Sequence, residues 1–142
     1  MFEVIKNFFL SFSKVQGNKR KILIIESRQE NTQFLNRILS HKYIILTAQD
    51  KKESLKKARS LRPDLIILNS KLFKESTLDL CISLRSFVET SNIPILMVAK
   101  KNDTSNVAEF YAKRVEGYLI EPFSKQDIQV QVQLALNSRN GE

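Results

Sequence analysis

From Lys21 onward, short apolar runs alternate with longer stretches in which apolar residues recur every three or four positions. Runs of the first kind suit buried strands and stretches of the second kind suit amphipathic helices, so the alternation reads as βα units around a parallel sheet. The expected strands run from Ile22 to Ile25, Tyr43 to Thr47, Leu65 to Leu68, Ile93 to Val98 and Tyr118 to Ile120. Most are continuously apolar, as strands become when helices cover both faces of a sheet.

Five helix patterns lie after these strands. Phe34, Leu35, Ile38 and Leu39 form the stripe of the first, and Leu55, Ala58 and Leu61 that of the second, which must stop before Pro63. Leu80, Cys81, Leu84, Phe87 and Val88 mark the third. Val107, Ala108, Phe110, Tyr111 and Val115 mark the fourth, which starts after the cap-type residues Asp103, Thr104 and Ser105. The fifth follows Ser124 as N-cap and carries Ile128, Val132, Leu134, Ala135 and Leu136. The order is (βα)5, an α/β doubly wound five-stranded parallel sheet whose chemistry is expected at the carboxyl ends of the strands.

Residues 1–20 stand outside this rhythm. On a helical projection Val4, Ile5, Phe8, Phe9, Phe12 and Val15 share one side, with Lys6, Asn7, Ser11 and Lys14 opposite and Leu10 as the exception. An amphipathic N-terminal helix and a short basic linker are expected there, followed by the main domain over 21–138 and a tail over 139–142. Such a stripe serves packing on its own domain or self-association; its aromatic side and flanking lysines also suit a partner's groove or a membrane surface.

Composition narrows the class. The 142 residues are enough for one domain with a real core, and three glycines and three prolines are too few for an all-β chain. A formal charge of +8 favours anionic partners: nucleic acid, acidic protein faces or anionic lipid. The basic run Lys51, Lys52, Lys56, Lys57, Arg59 and Arg62 reads as a solvated helix face. No helix-turn-helix or aromatic stacking platform accompanies it, so nucleic acid is not the expected partner. The single Cys81 excludes an internal disulfide, fits a reducing compartment and reads as a small core residue. No apolar run is long enough to span a bilayer, and Glu3, Lys6 and Asn7 interrupt what would be a secretory signal. A cytoplasmic location, peripheral to the membrane if residues 1–20 attach there, is the expectation. His41, beside Lys42 at a helix end, suits the helix dipole rather than catalysis.

Four segments carry a resemblance. They are Lys-Ile-Leu-Ile-Ile-Glu-Ser at the first strand, Arg-Pro-Asp-Leu-Ile-Ile-Leu-Asn at the third, Asn-Ile-Pro-Ile-Leu-Met-Val-Ala at the fourth and Gly-Tyr-Leu-Ile-Glu-Pro-Phe-Ser at the fifth. In this order, from about Lys21 to Leu136, they resemble the receiver domain of two-component response regulators, the CheY-like family, with its flavodoxin-like fold. The resemblance implies a phosphoaccepting aspartate after the third strand, two acids after the first strand that help hold Mg²⁺, a hydroxyl after the fourth and a lysine before a proline after the fifth.

This sequence departs from the family at each position. The nucleophile position is Asn69, the acidic pair is Glu26 and Ser27, the hydroxyl position is Ala99 and the lysine position is Glu121. A side-chain amide is a poor nucleophile, a hard dication needs carboxylate oxygens, and an anion at the lysine position repels phosphate. Glu26 and Glu121 are enough to hold a cation weakly, but solvated or hydrogen-bonded acids are the reading kept, and Ser27 and Ser70 lack a base to activate them. No metal, no cofactor and no enzymatic activity are expected.

Two family features persist. Tyr118 matches the aromatic residue that moves with the switch in the family, and Pro122 resembles the proline usually preceded by a cis bond. The family's docking or dimer face, formed by the fourth helix, fifth strand and fifth helix, would here include Tyr111, Tyr118, Pro122, Phe123 and Lys125. The sequence therefore reads as a stand-alone pseudo-receiver, a phosphorylation-independent adaptor that recognises a protein partner or pairs with itself. The rivals are a membrane-associated scaffold held by Ile5, Phe8, Phe9 and Phe12, and an atypical regulator switched by another ligand. Too few residues follow Leu136 to form an output domain.

Overall fold

The computed structural model describes residues 19–72, 76–103 and 107–138, and only the backbone of Val107. The expected N-terminal helix, with Ile5, Phe8, Phe9 and Phe12, lies outside the described residues, as does the tail after Ser138. Five strands and five helices alternate: β1 Lys21–Ile25, α1 Gln29–Leu39, β2 Ile44–Ala48, α2 Lys51–Leu61, β3 Leu65–Asn69, α3 Thr77–Ser86, β4 Ile95–Lys100, α4 Val107–Ala112, β5 Gly117–Glu121 and α5 Lys125–Asn137. All neighbouring strands are parallel, in the order β2-β1-β3-β4-β5. The (βα)5 sheet expected from the sequence is the sheet observed.

Two apolar layers fill the space between sheet and helices. Alternate residues of the central strands face opposite ways, so Leu23, Ile25, Ile66 and Leu68 join Ala58, Leu80, Cys81, Leu84 and Phe110 on one side. Ile22, Ile24, Leu65 and Ile67 join Leu35, Leu39, Ile128 and Val132 on the other. Each fully buried Ile or Leu contributes on the order of 1.5–3 kcal/mol, and this doubled burial is why the strands read as unbroken apolar runs.

Local chemistry sets the helix ends. Asp50, Ser76 and Ser124 cap α2, α3 and α5 by accepting from the backbone of Glu53, Asp79 and Asp127; Asp127 returns the bond to Ser124 in a capping box. Helix α2 stops at Arg62, which adopts a left-handed φ of 47° immediately before Pro63.

Strands β1, β2, β3 and β5 differ from expectation by one residue at one or both ends, and three elements differ by more. Strand β4 begins at Ile95 rather than Ile93, because the pairing starts with the Pro94 carbonyl, which accepts from Ile66 at 3.0 Å, and proline has no N–H to donate. Helix α3 stops before Phe87 and Val88: the buried Thr90 hydroxyl takes the Leu84 carbonyl at 2.6 Å, the chain turns away, and Val88 is 88% exposed. Helix α4 stops at Ala112, so Val115 is not helical. There the Arg114 amide donates to Tyr111, the Val115 amide donates to Phe110, and Arg114 sits at a φ of 64°. This is a Schellman end, in which the residue after the left-handed turn packs on the last helical turn. Val115 and Phe110 share one apolar cluster, so their spacing continues the helical stripe without continuing the helix.

Candidate functional site

At the β1–β3 junction the strand order reverses direction, and a crevice opens beyond the strand carboxyl ends. Glu26 follows β1, Asn69 ends β3, Ala99 lies one residue before the end of β4, and Glu121 ends β5. Glu26 is only 3% exposed, so its carboxylate must be satisfied from within. Three donors do this. Asn69 Nδ2 donates to Glu26 Oε1 at 2.6 Å, Asn31 Nδ2 to the same oxygen at 2.8 Å, and the Arg28 backbone N–H to Oε2 at 3.1 Å.

Asn69 is held in one orientation. Its Oδ1 accepts from the Lys71 backbone N–H at 2.8 Å, which leaves its NH₂ end to face Glu26. The buried Thr77 hydroxyl donates to the Asn69 carbonyl at 3.2 Å and accepts from the Leu72 N–H at 3.2 Å, tying the loop after β3 to α3. Asn31 also donates to Glu121 Oε1 at 3.3 Å, so a single amide bridges the ends of β1 and β5.

The site therefore unites Glu26, Asn69 and Glu121 as the sequence placed them, through Asn31, which sequence reasoning missed. The only signal for Asn31 is its spacing of five from Glu26, one turn into α1. Ser27 is half-buried at the same strand end, and Ala99 is buried beside Ile120 in the β4–β5 ladder, offering no hydroxyl. The donor set does not suit Mg²⁺. One buried carboxylate faces the hydrogens of two amides, where a hard dication would need several oxygens. Among the described residues no cluster of three or more His, Cys, Asp or Glu is placed to hold a metal ion.

The remaining candidate contacts fall into two groups. Tyr118 packs with the cluster on the α2–α4 side of the sheet, its ring centroid 5.4 Å from that of the half-exposed Tyr111. Among the described residues the Tyr118 hydroxyl is buried without a hydrogen-bond partner, and its pKa is pushed up to about 12, first by burial and then by Tyr111 and Cys81. Phe123 packs instead with the cluster on the α1–α5 side, 6.2 Å from Phe34. Pro122 and Lys125 are exposed, and the Glu121–Pro122 bond is cis as expected. Cys81 is fully buried, and burial raises its thiol pKa.

A parallel five-stranded sheet in the order 2-1-3-4-5, with helices on both faces, defines a flavodoxin-like doubly wound α/β protein, the class to which receivers belong. The response regulator receiver domain model matches residues 22–133, and the chain belongs to that family. It is 31% identical over 127 residues to hybrid signal transduction histidine kinase D of Dictyostelium discoideum, covering 89% of this chain and 8% of that protein. It is 30% identical over 118 residues to the alkaline phosphatase synthesis transcriptional regulatory protein PhoP of Bacillus subtilis, covering 82% of this chain and 48% of that protein. The chain thus spans at most about half the length of these relatives. Among solved structures, chemotaxis response regulator CheY4 of Vibrio cholerae superposes with a TM-score of 0.75 at 24% identity, over 82% of this chain and 98% of that one. A response regulator receiver domain from Clostridium thermocellum gives 0.76 at 22% identity, over 85% and 97%. These two show a shared fold. Among the described residues no helix is long and apolar enough to cross a membrane.

Proposed function

We propose that this receiver domain works without phosphorylation, as a protein–protein interaction adaptor in signalling that catalyses no reaction of its own. The observation that supports this most directly is the 2.6 Å hydrogen bond from Asn69 to the buried Glu26 carboxylate. A carboxylate nucleophile attacks phosphorus and leaves an acyl phosphate; an amide that spends its hydrogens on Glu26 and its oxygen on Lys71 does neither. Glu121 adds negative charge at the pocket where the family places a lysine, and Ala99 supplies no hydroxyl to answer a phosphoryl group.

Recognition then depends on surface that is already formed. Tyr111 is 51% exposed on α4, and Pro122 and Lys125 are exposed at the start of α5. An aromatic side chain in such a patch supplies contact area at low entropic cost. Self-association through this face is one form that partner recognition takes. The cytoplasm, where the lone Cys81 stays reduced, is the fitting location.

The test is capture of partners from a native lysate by the intact chain, with and without prior incubation with Mg²⁺ and acetyl phosphate. The adaptor reading expects the same captured set in both arms and its loss with Tyr111→Ala. A set that forms only after acetyl phosphate treatment, together with an added phosphoryl mass on the intact protein, overturns it.

A further inference from the structure

Two hollows meet at the carboxyl ends of β4 and β5. Lys100 and Glu121 are neighbours in the ladder between those strands, and together with Asn102 they line both hollows. On one side lies a wide, open hollow of about 770 Å³ lined by Phe34, Pro122, Phe123 and Lys101. On the other lies a polar cavity of about 340 Å³ that reaches Asn69 and Ser70 and is flanked by Arg28, Lys71 and Asp103.

Their chemistry is complementary to one kind of molecule. Small-molecule sites are concave spaces of roughly 300–1,000 Å³, mostly apolar, with a few convergent polar groups that fix orientation. Here the rings of Phe34 and Phe123, 6.2 Å apart and tilted, form an aromatic wall for a flat apolar body. Arg28, Lys71, Lys100 and Lys101 supply four cations to the two hollows, against the carboxylates of Asp103 and Glu121. Lys71 and Asp103 pair with each other at 3.2 Å and offset one another, and Glu121 accepts from the neutral Asn31 amide at 3.3 Å, so Arg28, Lys100 and Lys101 stand against the one carboxylate of Glu121. The buried Glu26 is bonded to its own three donors and does not line either hollow. Lys100 is exposed and stands where the apolar hollow passes into the polar one, so it is the cation an anionic group on an aromatic ligand would meet first.

We infer that the paired hollows around Lys100 bind a small aromatic carboxylate, its ring system against Phe34 and Phe123 and its singly charged carboxylate beside Lys100. This goes beyond partner recognition: the polar hollow is the pocket around Asn69 and Glu121 already described, and the apolar hollow walled by Phe34 and Phe123 adds a second subsite beside it.

The experiment is an ¹⁵N NMR titration of the full chain with 1-naphthoate and, separately, with the neutral 1-naphthalenemethanol. Shifts concentrated at Asn31, Phe34, Lys100, Asn102, Glu121 and Phe123 are expected, with naphthoate binding about tenfold more tightly than the alcohol. Lys100→Gln, at an exposed position, should erase the preference for the anion while leaving the alcohol's binding unchanged. Phe34→Ala should weaken both ligands. Equal binding of the two ligands, shifts centred elsewhere, no saturation by about 5 mM, or an unchanged preference in Lys100→Gln overturns the proposal. An acidic phenylalanine-containing peptide that shifts these amides where naphthoate does not also overturns it, assigning the hollows to a partner's chain. Because the readout is binding rather than phosphate uptake, a failure here is separate from a failure of the adaptor reading.

Discussion

Asn69 presents the hydrogens of its amide to Glu26 Oε1 at 2.6 Å, so the residue at the end of β3 donates where the family's chemistry needs an electron pair. The bond serves the fold first. Glu26 is 3% exposed, and without donors a buried carboxylate costs several kcal/mol. The amide at residue 69 thus stabilises an acid that, in a phosphoaccepting site, a cation would stabilise.

Restoring the carboxylate alone should therefore harm the protein. Asn69→Asp removes a donor from Glu26 and places a second anion at hydrogen-bond distance. The expected loss is about 1–3 kcal/mol in urea unfolding at pH 7, with the slope of the transition unchanged. Intact-mass measurement after Mg²⁺ and acetyl phosphate should show no phosphoryl addition to this variant, because Glu121 and Ala99 remain. A more stable Asn69→Asp protein would contradict the role given to the amide.

Tyr118 provides a pH signature. Its pKa is raised to about 12 from the ordinary tyrosine value of 10.0, chiefly by burial, so the folded state favours the neutral phenol. The sign follows from the raised value: the contribution is complete below pH 10 and is lost as the pH climbs toward 12. Tyr118→Phe should abolish that extra loss between these pH values. At pH 7 the variant should be as stable as the parent or more so, by up to about 1 kcal/mol, since the buried hydroxyl has no partner among the described residues. Absorbance titration should show a tyrosine component near pH 12 in the parent that is missing from Tyr118→Phe.

Arg85 is a second clamp, remote from the site. Its side chain is 7% exposed and donates to the carbonyls of Lys113, Ser91, Ile93 and Arg114, while approaching Glu116 at 3.5 Å. Glu116 in turn accepts from the Ile95 N–H at 2.6 Å, so the entries to β4 and β5 are held through one guanidinium. Arg85→Ala should cost about 3–5 kcal/mol in denaturant unfolding, because it removes the guanidinium that faces a largely buried carboxylate and donates to four carbonyls. Arg85→Lys should recover only a minor part, since an ammonium lacks the fork that reaches four oxygens.

Periodicity made the architecture legible because burial on both sheet faces leaves a simple trace, and Ile22 to Ile25 and Leu65 to Leu68 read as strands for that reason. Ends were less legible. Val115 keeps helical spacing because a Schellman turn packs it on Phe110, and Val88 sits past a stop made by the Thr90 hydroxyl, a contact no local pattern announces. Of the site, Glu26, Asn69, Ala99 and Glu121 were visible because the four motifs that resemble the receiver family put them at that family's functional positions. Asn31 was not, because its role comes from the approach of α1 to β5, separated by 90 residues in sequence. Arg85 was hidden likewise: its acceptors are backbone carbonyls, which every residue carries. The grouping of Tyr118 with Tyr111 and of Phe123 with Phe34 required the sheet's two sides to be known.

The most direct measurement is an ¹⁵N NMR titration of the intact chain with beryllofluoride and Mg²⁺, read at the backbone amides of Glu26, Ser27, Asn69, Ser70, Ala99 and Glu121. With its carboxylate committed to two asparagine amides and its third strand ending in one of them, the pocket should leave these signals unmoved at concentrations that saturate a phosphoaccepting receiver. Saturable shifts that cluster on these residues and require both reagents would show that the pocket still captures a phosphoryl mimic, and the account would be contradicted.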